Sequence, residues 1–148
     1  MRSQDEIRET GRQHHVGRLL LRANRDFSTR AIQRLHALGY SGVTVAHLSL
    51  LPNLDRTGAR VTTLATRAGM TKQGMGQLVA ELERQGYLTR EPDPVDKRAA
   101  LVCFTASGLA LLNDAIFVTR QIEDEYARVL GRERFGDLKQ ALTDLVEN

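Results

Sequence analysis

The sequence predicts a mainly α-helical fold with one small β-hairpin. Three observations carry that expectation. Residues 62–84, TTLATRAGMTKQGMGQLVAELER, read as two short helices joined by a tight turn. Residues 87–104 read as two strands around a turn-rich tip. On either side of this core, apolar residues recur every three or four positions over long stretches.

Residues 62–84 organise the rest. Thr62 stands where an N-cap belongs, and Leu64, Ala65 and Ala68 give the first helix an apolar side. Gly69 sits where a helix end favours positive φ. Thr71 caps the second helix, whose Met75, Leu78, Val79 and Leu82 form one stripe at i, i+3, i+4 and i+7. At 100° per residue the opposite face carries Gln73, Gly76, Gln77, Ala80 and Arg84, with Lys72 beside it. Amides can hydrogen-bond base edges, and small residues allow close approach to a groove. This is the pattern of a helix-turn-helix whose second helix reads DNA; an ordinary helical hairpin with a solvated polar face would share it.

Residues 5–37 read as one long helix, with Val16, Leu19, Leu20, Ala23, Phe27, Ala31 and Leu35 along one side. At 1.5 Å per residue it would reach about 50 Å. A small domain cannot cover such a stripe, so part of it is expected to pack against a second copy. Thr44 is expected to cap a helix bearing Val45, Leu48, Leu51 and Leu54 on one side, with Pro52 inside the pattern kinking or ending it. His47 is expected beside the core. Residues 59–61 form a short extended lead into the central motif.

After that motif, residues 87–91 and 98–104 are the expected strands, with Pro92, Asp93, Pro94 and Asp96 marking the tip. A helix-turn-helix followed at once by a hairpin is a winged helix. Lys97 and Arg98 at its tip suit a minor groove. Thr105 is expected to cap a long helix with Leu109, Leu112, Ile116, Thr119, Ile122, Tyr126 and Val129 on one side, broken by Gly131. A last helix carries Phe135, Leu138, Leu142 and Leu145. With the N-terminal helix these make a second, dimerising layer.

Composition bounds the function. Hydrophobic content of 41% and charged content of 26% are those of a globular protein. One cysteine rules out an internal disulfide framework and suits a reducing compartment. The charged N-terminus lacks the apolar core of a secretory signal, and polar breaks in the apolar residues 99–118 argue against a membrane span, so a cytoplasmic location is expected. The net charge of +3 is small, but it is concentrated: residues 56–98 hold eight Lys/Arg against five Asp/Glu, while the remainder balances. That is the footprint expected of a phosphate-binding surface. His14, His15, His36 and His47 have no accompanying HExxH, CxxC, GxSxG or glycine-rich loop, so neither an enzyme nor a metal or cofactor site is expected.

In these features the chain resembles the MarR family of bacterial transcription regulators over nearly its whole length. The most specific part is AGMTKQGMGQLVAELERQGYLTREPDPVDKRAALVCFTASG, residues 68–108. Asp96-x-Arg98 matches the wing signature, and Phe104-Thr105-x-x-Gly108 stands where the family usually has Leu-Thr and a nearby Gly. Gly74 and Gly76 inside the recognition helix depart from the pattern, each costing about 1 kcal/mol against alanine. The resemblance implies a single domain over 1–148, with a winged-helix part near 44–104 and dimerisation helices near 5–37 and 105–146. It implies a homodimeric, ligand-responsive repressor on a pseudo-palindromic operator of double-stranded DNA. A small aromatic or phenolic effector would sit in a cleft between the two layers. Carried over by position, Thr71, Lys72, Gln73 and Gln77 map to the major groove, and Gly76 and Arg84, which share that helix face, are counted with them as DNA-binding candidates. Asp96, Lys97 and Arg98 map to the wing, the aspartate orienting the arginine. Two alternatives accompany this expectation: a winged-helix module that binds protein instead of DNA, and a regulator sensing oxidants through Cys103.

Overall fold

A computed structural model describes residues 3–148. Helices α1 (Gln4–His14) and α2 (Val16–Ala37) lead into the short α3 (Val45–Leu48) and a single 3-10 turn, Leu51–Asn53. Then come α4 (Val61–Ala68), α5 (Lys72–Arg84), the hairpin β1 (Leu88–Pro92) and β2 (Ala100–Phe104), and the long helices α6 (Ala106–Leu130) and α7 (Arg132–Glu147). This is the expected mainly helical fold with a β-wing.

The two strands pair antiparallel, Leu88 opposite Phe104 and Pro92 opposite Ala100. Ala59 adds a one-residue bridge to Val102, its N–H and C=O exchanging hydrogen bonds of 3.0 and 2.8 Å with that strand. The core gathers Leu35 of α2, Val43, Leu50, Leu64, Met75, Val79, Leu82, Val102, and Leu111 and Ile122 of α6, all fully buried.

Several boundaries differ from expectation. The single helix over 5–37 is two helices. His15 adopts extended backbone (φ −71°, ψ 155°), and its Nδ1 accepts the Arg18 N–H at 3.2 Å, capping α2 in the role a serine or aspartate usually fills. The N-cap of α4 is Arg60, not Thr62, because the bridge at Ala59 holds the chain extended up to that residue. Val45 faces solvent, while Leu50, Leu51 and Leu54 enter the core. On α6 the buried residues are Gly108, Leu111, Val118 and Ile122; Ile116 and Val129 of the expected stripe are exposed. That helix is covered on two sides, by the wing at its start and by α2 further on, so one stripe does not describe it.

Other local signals hold. Gly69 ends α4 in the left-handed region (φ 64°, ψ 33°). Thr71 caps α5 by accepting the Gly74 N–H at 3.0 Å. Thr105 caps α6 through the Gly108 N–H and also donates to Gly86 O at 2.6 Å. Gly108 is required for packing: a Cβ there would lie 1.9 Å from the Tyr87 carbonyl oxygen. The outer layer is left uncovered. α7 buries no residue, and Leu19, Leu20 and Leu21 of α2 and Leu138, Leu145 and Val146 of α7 are exposed. Among the described residues no helix is long and apolar enough to cross a membrane.

Candidate nucleic-acid interface

The amphipathic logic of α5 fixes what it presents outward. Met75, Leu78, Val79 and Leu82 are buried, so the helix cannot rotate without exposing them. Lys72, Gln73, Gln77 and Arg84 are therefore solvent-facing, and Gly76 and Ala80 are half-buried between them. No Cβ-sized obstacle lies within 4 Å of Gly76, so the surface there is open. Thr71 is exposed, with its oxygen occupied by the cap.

At the wing, Asp96 Oδ1 accepts the Arg98 N–H at 3.1 Å and its Nε at 3.4 Å. The Arg98 side chain is still 94% exposed. Lys97 is exposed beside it. The basic segment is less free than its composition suggests. Arg60 pairs with Asp93, Arg67 with Asp55, Arg90 with Glu83 and Arg98 with Asp96. Among the described residues, the segment's other four cations, Arg56, Lys72, Arg84 and Lys97, have no carboxylate partner; Arg56 bonds the Asn113 amide oxygen at 3.3 Å.

Two polar anchors behind this surface were not legible in the sequence. Asp93 sits in the turn, as expected, but it is also buried, which its type did not announce. Its Oδ2 accepts Arg60 Nε at 2.8 Å and Nη2 at 2.6 Å, and its Oδ1 accepts the Val95 N–H at 2.8 Å. The Val95 N–H and the Arg60 guanidinium hold its carboxyl below the usual range. His47 is 1% exposed, inside the core and not beside it. Its Nδ1 accepts the Thr44 N–H at 3.0 Å, which leaves the proton on Nε2, 2.7 Å from Glu81 of α5. The imidazole thus ties α3 to α5. In both cases the partner is more than thirty residues away, so only composition near Arg60 and an i, i+3 match of Thr44 with His47 could have pointed to them.

A cavity of about 680 Å³ lies between α2, the 3-10 turn and α6. Phe27, Leu35, Leu48, Leu54, Leu112 and Ile116 supply apolar wall, and Arg56, Arg120 and Glu123 supply charge. Cys103 is half-buried, and burial, with the charge of Glu91, pushes its thiol above the ordinary value. A thiol held protonated is a poor redox sensor. Among the described residues no three His, Cys, Asp or Glu side chains group as metal ligands.

Comparison with known proteins follows the same lines. The MarR family pattern matches residues 41–99, which contain α3 to the wing tip. The HTH-type transcriptional regulator Mb0904 of Mycobacterium bovis is 30% identical over 107 residues, 72% of this chain and 74% of that protein. The chain belongs to the MarR family. Another relative, the transcriptional regulator HosA of Escherichia coli O111:H-, is 33% identical over 81 residues, 54% of this chain; the match spans 60% of HosA. The transcriptional repressor CouR, solved on a 23-mer DNA duplex, superposes with a TM-score of 0.76 at 26% identity, covering 92% of this chain and 95% of CouR. CouR from Rhodococcus jostii RHA1 bound to p-coumaroyl-CoA has the same fold, with a TM-score of 0.72 at 24% identity over 90% of this chain and 92% of that one. The chain thus has the winged-helix fold of the MarR family, and it spans about 60% of the length of HosA.

Proposed function

We propose that this MarR-family protein is a cytoplasmic, homodimeric repressor that binds a pseudo-palindromic DNA site and releases it on binding a small aromatic or phenolic effector. The observation that carries this reading is the outward face of α5. An amide-bearing, small-residue surface is held out by a fully buried opposite stripe and flanked by Lys72 and Arg84, both without acidic partners. Gln73 and Gln77 would read base edges in the major groove. Lys97 and Arg98 would follow the backbone and minor groove alongside. That CouR, of the same fold, was solved bound to a 23-mer DNA duplex supports DNA as the partner.

The dimer reading rests on the uncovered apolar residues of α2 and α7. A twofold pair would place the two α5 helices one duplex turn apart, roughly 34–36 Å. The effector reading rests on the cavity, which spans the joint between α2 and α6 and the winged helix. The p-coumaroyl-CoA complex of CouR is consistent with it. An effector acts only through its differential affinity for the two dimer geometries.

Footprinting on the DNA upstream of the reading frame, with and without aromatic acids, tests the function. Protection of two half-sites a helical turn apart, relieved by an acid, is expected. Protection of no site, with stable capture of a protein partner, would favour the protein-binding module. Sedimentation of the purified protein as a monomer at micromolar concentration would remove the dimer.

A further inference from the structure

The wing leaves the body of the protein at Val102, where Ala59 bridges it. Beyond that point the tip makes polar bonds mostly to itself. Asp93 N–H donates to Ala99 O at 3.1 Å, Ala99 N–H to Asp96 O at 3.0 Å, and Arg98 N–H to Asp96 Oδ1. Arg90 of β1 pairs with Glu83 of α5 level with Val102, and at the tip itself the tie back to the helix-turn-helix is the Arg60–Asp93 pair. It is built for holding. Arg60 stands at the N-cap of α4, directly after the bridging Ala59, and places two nitrogens on one carboxylate oxygen. The other oxygen closes the turn at Val95. The Asp93 side chain is 8% exposed, so it is not offered to a ligand, and its charge is answered from within.

We infer that Asp93 is a positioning residue for DNA binding: by clamping Arg60 it presets the wing tip, and with it Lys97 and Arg98, in the pose that reaches the duplex. Preorganisation matters here because a hairpin tip that must be ordered on binding gives up affinity for each side chain immobilised. The inference rests on the reading of Lys97 and Arg98 as DNA contacts.

The sign of one substitution separates positioning from bare electrostatics. Asp93→Asn removes a negative charge and frees Arg60. Electrostatics alone then requires tighter binding to any duplex and a steeper salt dependence. Positioning requires the reverse. The measurement is affinity for a mixed-sequence duplex across a salt series, for the unaltered protein, Asp93→Asn, Arg98→Ala and the double variant. Asp93→Asn is expected to weaken binding roughly three- to tenfold and to lower the salt slope by about one. In the double variant the Arg98→Ala loss should largely disappear, since an unheld tip no longer delivers that cation. Arg60→Lys keeps the clamp's charge and should retain most of the affinity, while Arg60→Gln should behave like Asp93→Asn. These two cover the case in which Asp93→Asn does not fold. Unchanged or tighter binding by Asp93→Asn or Arg60→Gln, or losses that simply multiply with Arg98→Ala, overturns the inference while the wing contact stands. An Arg98→Ala variant that binds like the unaltered protein overturns the wing contact and the inference together.

Discussion

Replacing Gly108 by alanine probes the joint where the wing meets α6. The added Cβ would stand 1.9 Å from Tyr87 O, 2.9 Å from Tyr87 C and 3.2 Å from a ring carbon of Phe104. Two of these are backbone atoms and cannot swing aside. Ordinary contact begins at 3.4 Å, so α6 and the Tyr87 peptide must part by about 1.5 Å along that line (3.4 − 1.9). That motion breaks the Thr105 N–H bond to Tyr87 O, now 3.1 Å, and loosens the Thr105 hydroxyl from Gly86 O. Overpacking of this kind costs about 1–3 kcal/mol and a lost hydrogen bond about 1 kcal/mol more, so the expected destabilisation is about 2–4 kcal/mol. For a chain of this size each kcal/mol lowers the melting temperature by roughly 2–4 °C. Denaturant unfolding at fixed protein concentration reads the change directly. A loss below about 0.5 kcal/mol, the range of neutral surface changes, would show that α6 does not press on Tyr87 as described.

Gly76→Ala is expected to act in the opposite direction on stability, raising it by about 0.5–1 kcal/mol, because its Cβ meets nothing within 4 Å and helical glycine is entropically costly. The same variant should bind specific DNA less tightly, and a gain in stability with unchanged DNA affinity would place the duplex elsewhere. Gln77→Ala should alter base preference more than overall affinity; equal losses on specific and random duplexes would contradict base readout. Glu125, bonded by Arg34 and Arg30, has its carboxyl held below the ordinary value, chiefly by the Arg34 hydrogen bond. A lowered folded value means its stabilisation is complete above the unfolded carboxylate range and is lost as pH falls through the folded value. Glu125→Gln should therefore flatten the acid limb of stability below about pH 4.5 while leaving its shape near neutrality unchanged, and an unaltered acid limb in calorimetry would refute it.

What could be read from the sequence was what neighbours in the chain decide. The α5 stripe of Met75, Leu78, Val79 and Leu82 is a property of helical spacing, and all four are buried. Gly69 and Thr71 act through their own backbone and side chain, so their roles followed from residue type. Most of the misreadings share a cause. The start of α4 was moved by the bridge from Ala59 to Val102, a residue far along the chain. His47 was drawn inside by Glu81, and Asp93 by Arg60. His15 interrupted a continuous apolar pattern by a capping bond that histidine seldom makes. The charge footprint was legible only as a sum, because ion pairing had already neutralised Arg60, Arg67, Arg90 and Arg98 within the fold.

Helix α3 is a single turn of four residues, too short to bend within itself. Its last residue, Leu48, forms part of the cavity wall, and the residue before it, His47, grips Glu81. The two adjacent side chains point to different tasks on one rigid stub. A molecule that pushes Leu48 outward would therefore turn a lever whose other arm is fastened to Glu81 in the last turns of α5.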